Sequence, residues 1–234
     1  MKKQNFVEGA LILMIANLFV KVFGAIFKIP LTNIIGPEAM AYFNTAYGFY
    51  VIFYMISTAG LPVAVSKMIS AAEARGNKKE VEKIFKISFT LFFIFGAAGT
   101  IIMSVFAGAY ANYVKLSGLE WAILAISPTL FFICLTSAYR GYFQGLKNML
   151  PTAISQISEA IGKLIIGLIA AYVAAEQGKP PQIVAAYALV GVTIGALFST
   201  VFLRIYKRLS HTEKDSLQNN TRSKKALLKN LIII

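Results

Sequence analysis

"YRGYFQGLKNMLPTAISQISEAIGK", residues 139–163, decides how the chain is read. It lies between runs of Leu, Ile, Ala, Phe and Val, yet it carries Arg140, Gln144, Lys147, Gln156, Glu159 and Lys163. Pro151 suits the first turn of a helix. Beyond it, Gln156, Glu159 and Lys163 follow at spacings of three and four, which places all three on one helical face. At 1.5 Å per residue, Lys163 stands about 18 Å along that helix.

The surroundings fix the solvent. Of 234 residues, 57% are hydrophobic and 14% charged, and the mean hydropathy is +0.67, far too apolar for an ordinary soluble domain. Apolar blocks long enough to cross about 30 Å of hydrocarbon recur near 6–28, 40–62, 87–112, 121–142, 151–175 and 182–206. The expected fold class is all-α, a polytopic bundle of six spanning helices. Lys163 then sits near the midplane. Its stem reaches only about 6 Å, too short to bring the ammonium to either headgroup layer.

The first block continues past Lys21 to Lys28 without a small-x-small cleavage site, which argues against a secretory signal. The single cysteine, Cys134, falls inside the fourth block, so no disulfide framework exists. The net charge of +13 is a topological signal. Lys2, Lys3, the cluster from Arg75 to Lys83, Lys147 and the tail from Arg204 to Lys229 fall on one side of the bundle. Only Lys28, Lys115 and Lys179 fall on the other. This bias orients the N-terminus and residues 207–225 to the cytoplasm. Basic residues spread along one leaflet, with no aromatic interleaving in the tail, exclude nucleic acid as a partner. Residues 1–206 form the six-helix unit and 207–225 a cytoplasmic basic linker. Residues 226–234 begin a further apolar run too short to span.

Charges inside spans are more informative than loop charges, because exposing one to lipid costs at least about 2.5–3.5 kcal/mol. Glu159 and Lys163 either pair structurally or serve binding and coupling. In the first span Asn17, Lys21, Gly24 and Lys28 share a face. Lys21 either lines a cavity or snorkels, and Lys28 lies near the outer end. In the second span Asn44, Tyr47, Tyr50, Tyr54 and Ser57 form another polar face, reading as cavity wall or interfacial belt. Gly60 and Pro62 interrupt that span, as a simple kink or as a gate. Gly141 and Gly145 have small-xxx-small spacing, which means close helix packing.

"KVFGAIFKIPLTNIIGPEAMAYFNTAYGFYVIFYMISTAGLPVAVSKMISAAEARGN", residues 21–77, together with the opening stretch, resembles the N-terminal half of the stage V sporulation protein B group. These are bacterial polysaccharide and lipid II flippases of the multidrug, oligosaccharidyl-lipid and polysaccharide exporter superfamily. The resemblance runs over roughly residues 5–206. It implies a cell-membrane transporter of two six-helix lobes, of which this chain supplies one and a C-terminal lobe is missing. It further implies alternating-access movement of undecaprenyl-pyrophosphate-linked saccharide for peptidoglycan or polysaccharide biosynthesis, in a sporulation setting. Related flippases use basic residues of the first helix in the cavity, which carries onto Lys21 and Lys28. Lysine acts there as a point charge where arginine would grip bidentately.

On these grounds Lys21, Lys28, Arg140 and Lys163 are the expected anion contacts. Gln156, Asn44, Tyr47 and Tyr54 would meet sugar hydroxyls. Glu159 would balance charge or meet a coupling cation, Na+ or H+. The partners are thus a lipid-linked saccharide and membrane lipids. A drug/cation antiporter of the same superfamily, or a non-transporting scaffold for envelope assembly, is the alternative. No enzyme, cofactor or metal is expected. The one histidine, His211, lies in the polar tail, and no His, Cys or carboxylate cluster has metal spacing.

Overall fold

The computed structural model describes the backbone of residues 4–58 and 60–231, and the side chains of 4, 5, 7–55, 60 and 62–210. Every regular element among the described residues is helical. The first, α1 (Phe6–Thr58), is broken at Gly36, whose φ of 73° and ψ of 174° belong to a region that only glycine occupies readily. Pro37 follows, its fixed φ suited to open a new helix. In a straight helix Phe27 and Phe43 would lie about 24 Å apart. Their ring centroids are 6.0 Å apart, so the chain folds back at Gly36 into two antiparallel arms.

A second left-handed glycine, Gly60 (φ 74°), starts α2 (Leu61–Ala74), with Pro62 in its first turn. The interruption expected at Gly60 and Pro62 is present. The remaining elements are α3 (Lys78–Val105), α4 (Ala107–Tyr113), α5 (Leu119–Gly145), α6 (Leu150–Glu176) and α7 (Pro181–Leu231). Among the described residues five helices are long and apolar enough to cross a membrane, and α1, folded into two arms, accounts for two of the six expected passes.

Several boundaries differ from the sequence reading, and the blocks placed at 6–28 and 40–62 are the arms 6–35 and 37–58 of α1. The block placed at 87–112 starts earlier, at Lys78, because Asn77 caps the helix by accepting a hydrogen bond from the Glu80 amide at 3.1 Å. Its charged first turns had hidden it from a hydropathy reading. It also bends at Phe106, a residue that gives no sequence signal of a break. At the other end, the backbone of α7 stays helical through 207–225 to Leu231, where the sequence suggested a linker. Its 51 residues run for about 76 Å, so the later part extends beyond any bilayer crossed by the first. Residues 232–234 lie outside the described residues.

The helix ends sort by charge. The Gln4 amide donates to the Lys147 carbonyl at 3.0 Å, and the Met149 amide donates to Gln4 Oε1 at 2.7 Å. Lys207 meets Glu82 at 2.9 Å, and Tyr142 Oη donates to Glu82 at 3.1 Å. These contacts gather the N-terminus, the α5–α6 turn, the start of α3 and the later part of α7 at one end. At the other end Tyr42 Oη donates to the Ser117 carbonyl at 3.0 Å.

Close packing uses small residues and hydroxyls. A Cβ added at Gly145 would stand 2.7 Å from the Ile69 side chain, and one at Gly141 would stand 2.9 Å from the Pro62 carbonyl. That glycine pair therefore seats α2 on α5, as its spacing implied. On α6 and α7, Gly162 faces Gly195 and Gly167 faces Gly191. Thr129 meets Thr193 at 2.7 Å and Thr136 meets Thr200 at 2.8 Å. Two such rungs at equal sequence offset make α5 and α7 parallel neighbours.

Candidate functional site

The polar groups of the bundle converge on one open cavity of about 850 Å³. The first arm of α1 contributes Asn17, Val20, Phe23 and Gly24, and the second arm contributes Tyr47, Tyr50 and Tyr54. From α5 comes Arg140, and from α6 come Gln156, Glu159, Ala160 and Lys163. The polar face read on α6 therefore lines a cavity, and the tyrosines spaced along the second arm form its facing wall. Fold-back at Gly36 makes this possible, since it brings residues 17–24 and 47–54 to the same space.

Arg140 is held from three directions. Its Nε donates to Ser155 Oγ at 3.0 Å, and its Nη2 donates to Glu159 Oε2 at 2.9 Å and to Ser199 Oγ at 3.3 Å. Charge-assisted contacts of this kind are the stronger class of hydrogen bond. They fix the planar guanidinium at the mouth of α6 and α7.

Glu159 takes its ion pair from Arg140, and among the described residues Lys163 forms none. The expected intrahelical pair of Glu159 with Lys163 is thus replaced by a pair between helices. Lys163 instead lies over two rings, with Nζ 4.8 Å from the centroid of Phe27 and 5.1 Å from that of Tyr47. Cation–π contact offsets part of the loss of hydration while leaving the positive charge uncancelled. Gln156 Oε1 is buried with no hydrogen-bond partner, an acceptor that faces unfilled demand.

Lys21, Lys28 and Asn44 do not line the cavity and are exposed. Asn17 and Gly24 do line it, and Lys21 stands four residues after one and three before the other. Lys21 therefore shares a helical face with two lining residues without itself lining the cavity. The same register extends to Lys28. Asn44 falls three residues before Tyr47, yet its side chain is exposed while Tyr47 is half-buried. The Ser57 side chain lies outside the described residues. Sequence reasoning missed Ser155, Ser199 and Phe27, because a serine hydroxyl and an apolar ring carry no signal until helices are placed side by side. Among the described residues no group of His, Cys, Asp or Glu is arranged to hold a metal.

Relatives give this arrangement a context. The chain is 29% identical over 223 residues to stage V sporulation protein B of Bacillus subtilis (strain 168), an alignment covering 94% of this chain and 43% of that protein. It is 28% identical over 212 residues to the lipid II flippase MurJ of the same strain, covering 86% and 39% respectively. The chain therefore spans less than half the length of these relatives. Among solved structures, the fold is similar to the outward-facing conformation of a multidrug resistance MATE family transporter of the MOP superfamily. The TM-score there is 0.71 at 15% identity, over 86% of this chain and 44% of that one. A MATE structure in the bent conformation gives 0.69 at 16% identity, over 93% and 49%. One of these relatives is a lipid II flippase and the similar folds are those of transporters; the model of the polysaccharide biosynthesis protein family matches residues 6–232, and the chain therefore belongs to that family.

Proposed function

We propose that the chain forms one lobe of a flippase that carries undecaprenyl-pyrophosphate-linked saccharide across the bacterial cytoplasmic membrane by alternating access. The observation that supports this reading is Lys163. It is a cation in an open cavity, seated on rings and, among the described residues, in no ion pair of its own, the nearby Glu159 being joined to Arg140. Such a site offers a pyrophosphate a replacement for its hydration shell, while a prenyl tail stays in lipid between helices. Arg140 stands at the same cavity with two of its nitrogens already engaged. Lys21 and Lys28 add positive potential from the same helical face of the first arm. Gln156, Asn17 and the tyrosines suit saccharide hydroxyls, and Asn44 has no place in that set.

Orientation follows the charge bias, with the N-terminus and residues 207–225 in the cytoplasm. A coupling cation, Na+ or H+, would act at Glu159 by competing with Arg140 for the carboxylate. A drug/cation antiporter is the second reading, favoured by the MATE-like fold. It needs an uncommitted carboxylate to exchange against a cationic drug, and the one embedded in this cavity is tied to a guanidinium.

The test is transport of a fluorescent undecaprenyl-pyrophosphate-linked saccharide in proteoliposomes, using the protein encoded by the whole reading frame. Lys163→Ala should abolish transport with insertion intact. Undiminished transport by that variant, or transport of cationic drugs in place of the lipid, would overturn the reading.

A further inference from the structure

Outside the cavity, one feature is open, apolar and edged with unneutralised charge. Between α2 and α3 lies a slot of about 640 Å³, walled by Ala64, Val65 and Met68 on one side and by Ile84, Leu91 and Phe95 on the other. Its floor is closed, since Val65 is 7% and Phe92 2% exposed. Its lips are open, with Met68, Leu91 and Phe95 each about half exposed. From Ile84 to Phe95 the slot runs about 16 Å along α3, close to half of a hydrocarbon core about 30 Å thick. Its length is therefore that of one acyl chain in one leaflet.

Charge marks one end of the slot. Lys67 stands beside Met68 on α2, and Lys83 stands just before Ile84 on α3. Both are exposed, and among the described residues neither forms an ion pair. Counted from the turn at Gly76, both lie about 10–14 Å along their helices, at the foot of the slot. The nearby Arg75 is different, being matched by Glu80 at 2.7 Å. Lys67 and Lys83, next in sequence to lining residues, are thus cations in no ion pair among the described residues, as are Lys78 and Lys79 in the turn and Lys86 farther along α3. The stems of Lys67 and Lys83 can carry the ammonium groups toward the headgroup layer.

We propose that this slot holds one acyl chain of an anionic glycerophospholipid of the membrane, with its phosphate between Lys67 and Lys83. A zwitterionic lipid could fill the slot but would gain less from the two cations. Each lysine near a headgroup contributes roughly fivefold to anionic-lipid affinity, so the pair should favour the anionic lipid by about 30-fold. This site does not depend on the transported substrate.

Purified protein, stripped of lipid in a neutral detergent, is titrated with phosphatidylglycerol, phosphatidylcholine or undecaprenyl phosphate. Thermal melting and retention of lipid in native mass spectrometry are read out. Phosphatidylglycerol should stabilise and be retained, and Lys67→Gln/Lys83→Gln should weaken its binding about 30-fold toward the phosphatidylcholine level. Ala64→Phe, at an exposed position on the slot wall, should block both glycerophospholipids while leaving the apo melting temperature near wild type. Equal effects of the two glycerophospholipids on the wild type would overturn the proposal. So would full phosphatidylglycerol binding by either variant, or a response to undecaprenyl phosphate alone.

Discussion

Arg140 and Glu159, nineteen residues apart on neighbouring helices, are joined at 2.9 Å, while Lys163, one helical turn beyond Glu159, turns to the rings of Phe27 and Tyr47. The two cations of the cavity therefore differ in kind. One is neutralised and fixed, and the other is desolvated and available.

Stability should register that difference. Removing one partner of this part-buried ion pair leaves a charge stranded, at a cost below the roughly 3–5 kcal/mol of a fully buried pair. Glu159→Gln should lower the melting temperature in detergent far more than Lys163→Met does. Arg140→Gln/Glu159→Gln should recover most of the loss. A larger penalty for Lys163→Met would show that Lys163, and not Arg140, is the structural partner of Glu159.

Transport should depend on the Tyr47 ring and not on its hydroxyl if the cation–π seat positions Lys163. Tyr47→Phe keeps the ring and should retain transport. Tyr47→Leu removes a contact worth about 0.5–2 kcal/mol and should cut transport several-fold. Equal loss in both variants would assign Tyr47 to hydrogen bonding with substrate.

Helix crossings should separate tight glycines from idle ones. Gly145→Ala would push its Cβ against Ile69, and Gly162→Ala would push its own against Gly195. Overpacking of this kind costs about 1–3 kcal/mol. Gly48 has nothing within 4 Å, so Gly48→Ala should be neutral or stabilising by about 0.5–1 kcal/mol. Thermal denaturation of the three variants decides the matter, and a destabilised Gly48→Ala would point to a partner at that position.

Orientation is open to labelling. In a Cys134→Ser background, Asn77→Cys should resist impermeant maleimide in intact cells and Ser117→Cys should react, following the lysine and arginine bias. The opposite pattern would place the Lys163 cavity and the Lys67–Lys83 slot in the reverse leaflet order.

Much of this molecule was legible before any coordinates. Run lengths of apolar residues gave the passes, since hydrocarbon imposes a length on each. The period of Gln156, Glu159 and Lys163 gave the polar face of α6. What escaped was the choice among partners. Spacing of four residues offers Glu159 the amine of Lys163, but only the placing of α5, α6 and α7 around one another brings the Arg140 guanidinium closer, with Gly162 and Gly195 seating α6 on α7. The register of the first arm was right, yet a face shared by Asn17, Lys21, Gly24 and Lys28 does not say where the cavity stops. The bend at Phe106 had no warning, because neither Phe106 nor its immediate neighbours is a helix breaker.

The reversal at Gly36 also bears on how the chain enters the bilayer. Two apolar arms joined by a single non-helical residue have no hydrophilic loop to carry through the membrane. The far-side cost of insertion is reduced to the few groups around Pro37 and Glu38. Biogenesis of the first two passes is therefore coupled: residues 6–35 meet their first packing partner only when 37–58 has left the ribosome, and the hairpin they make is completed later by α6.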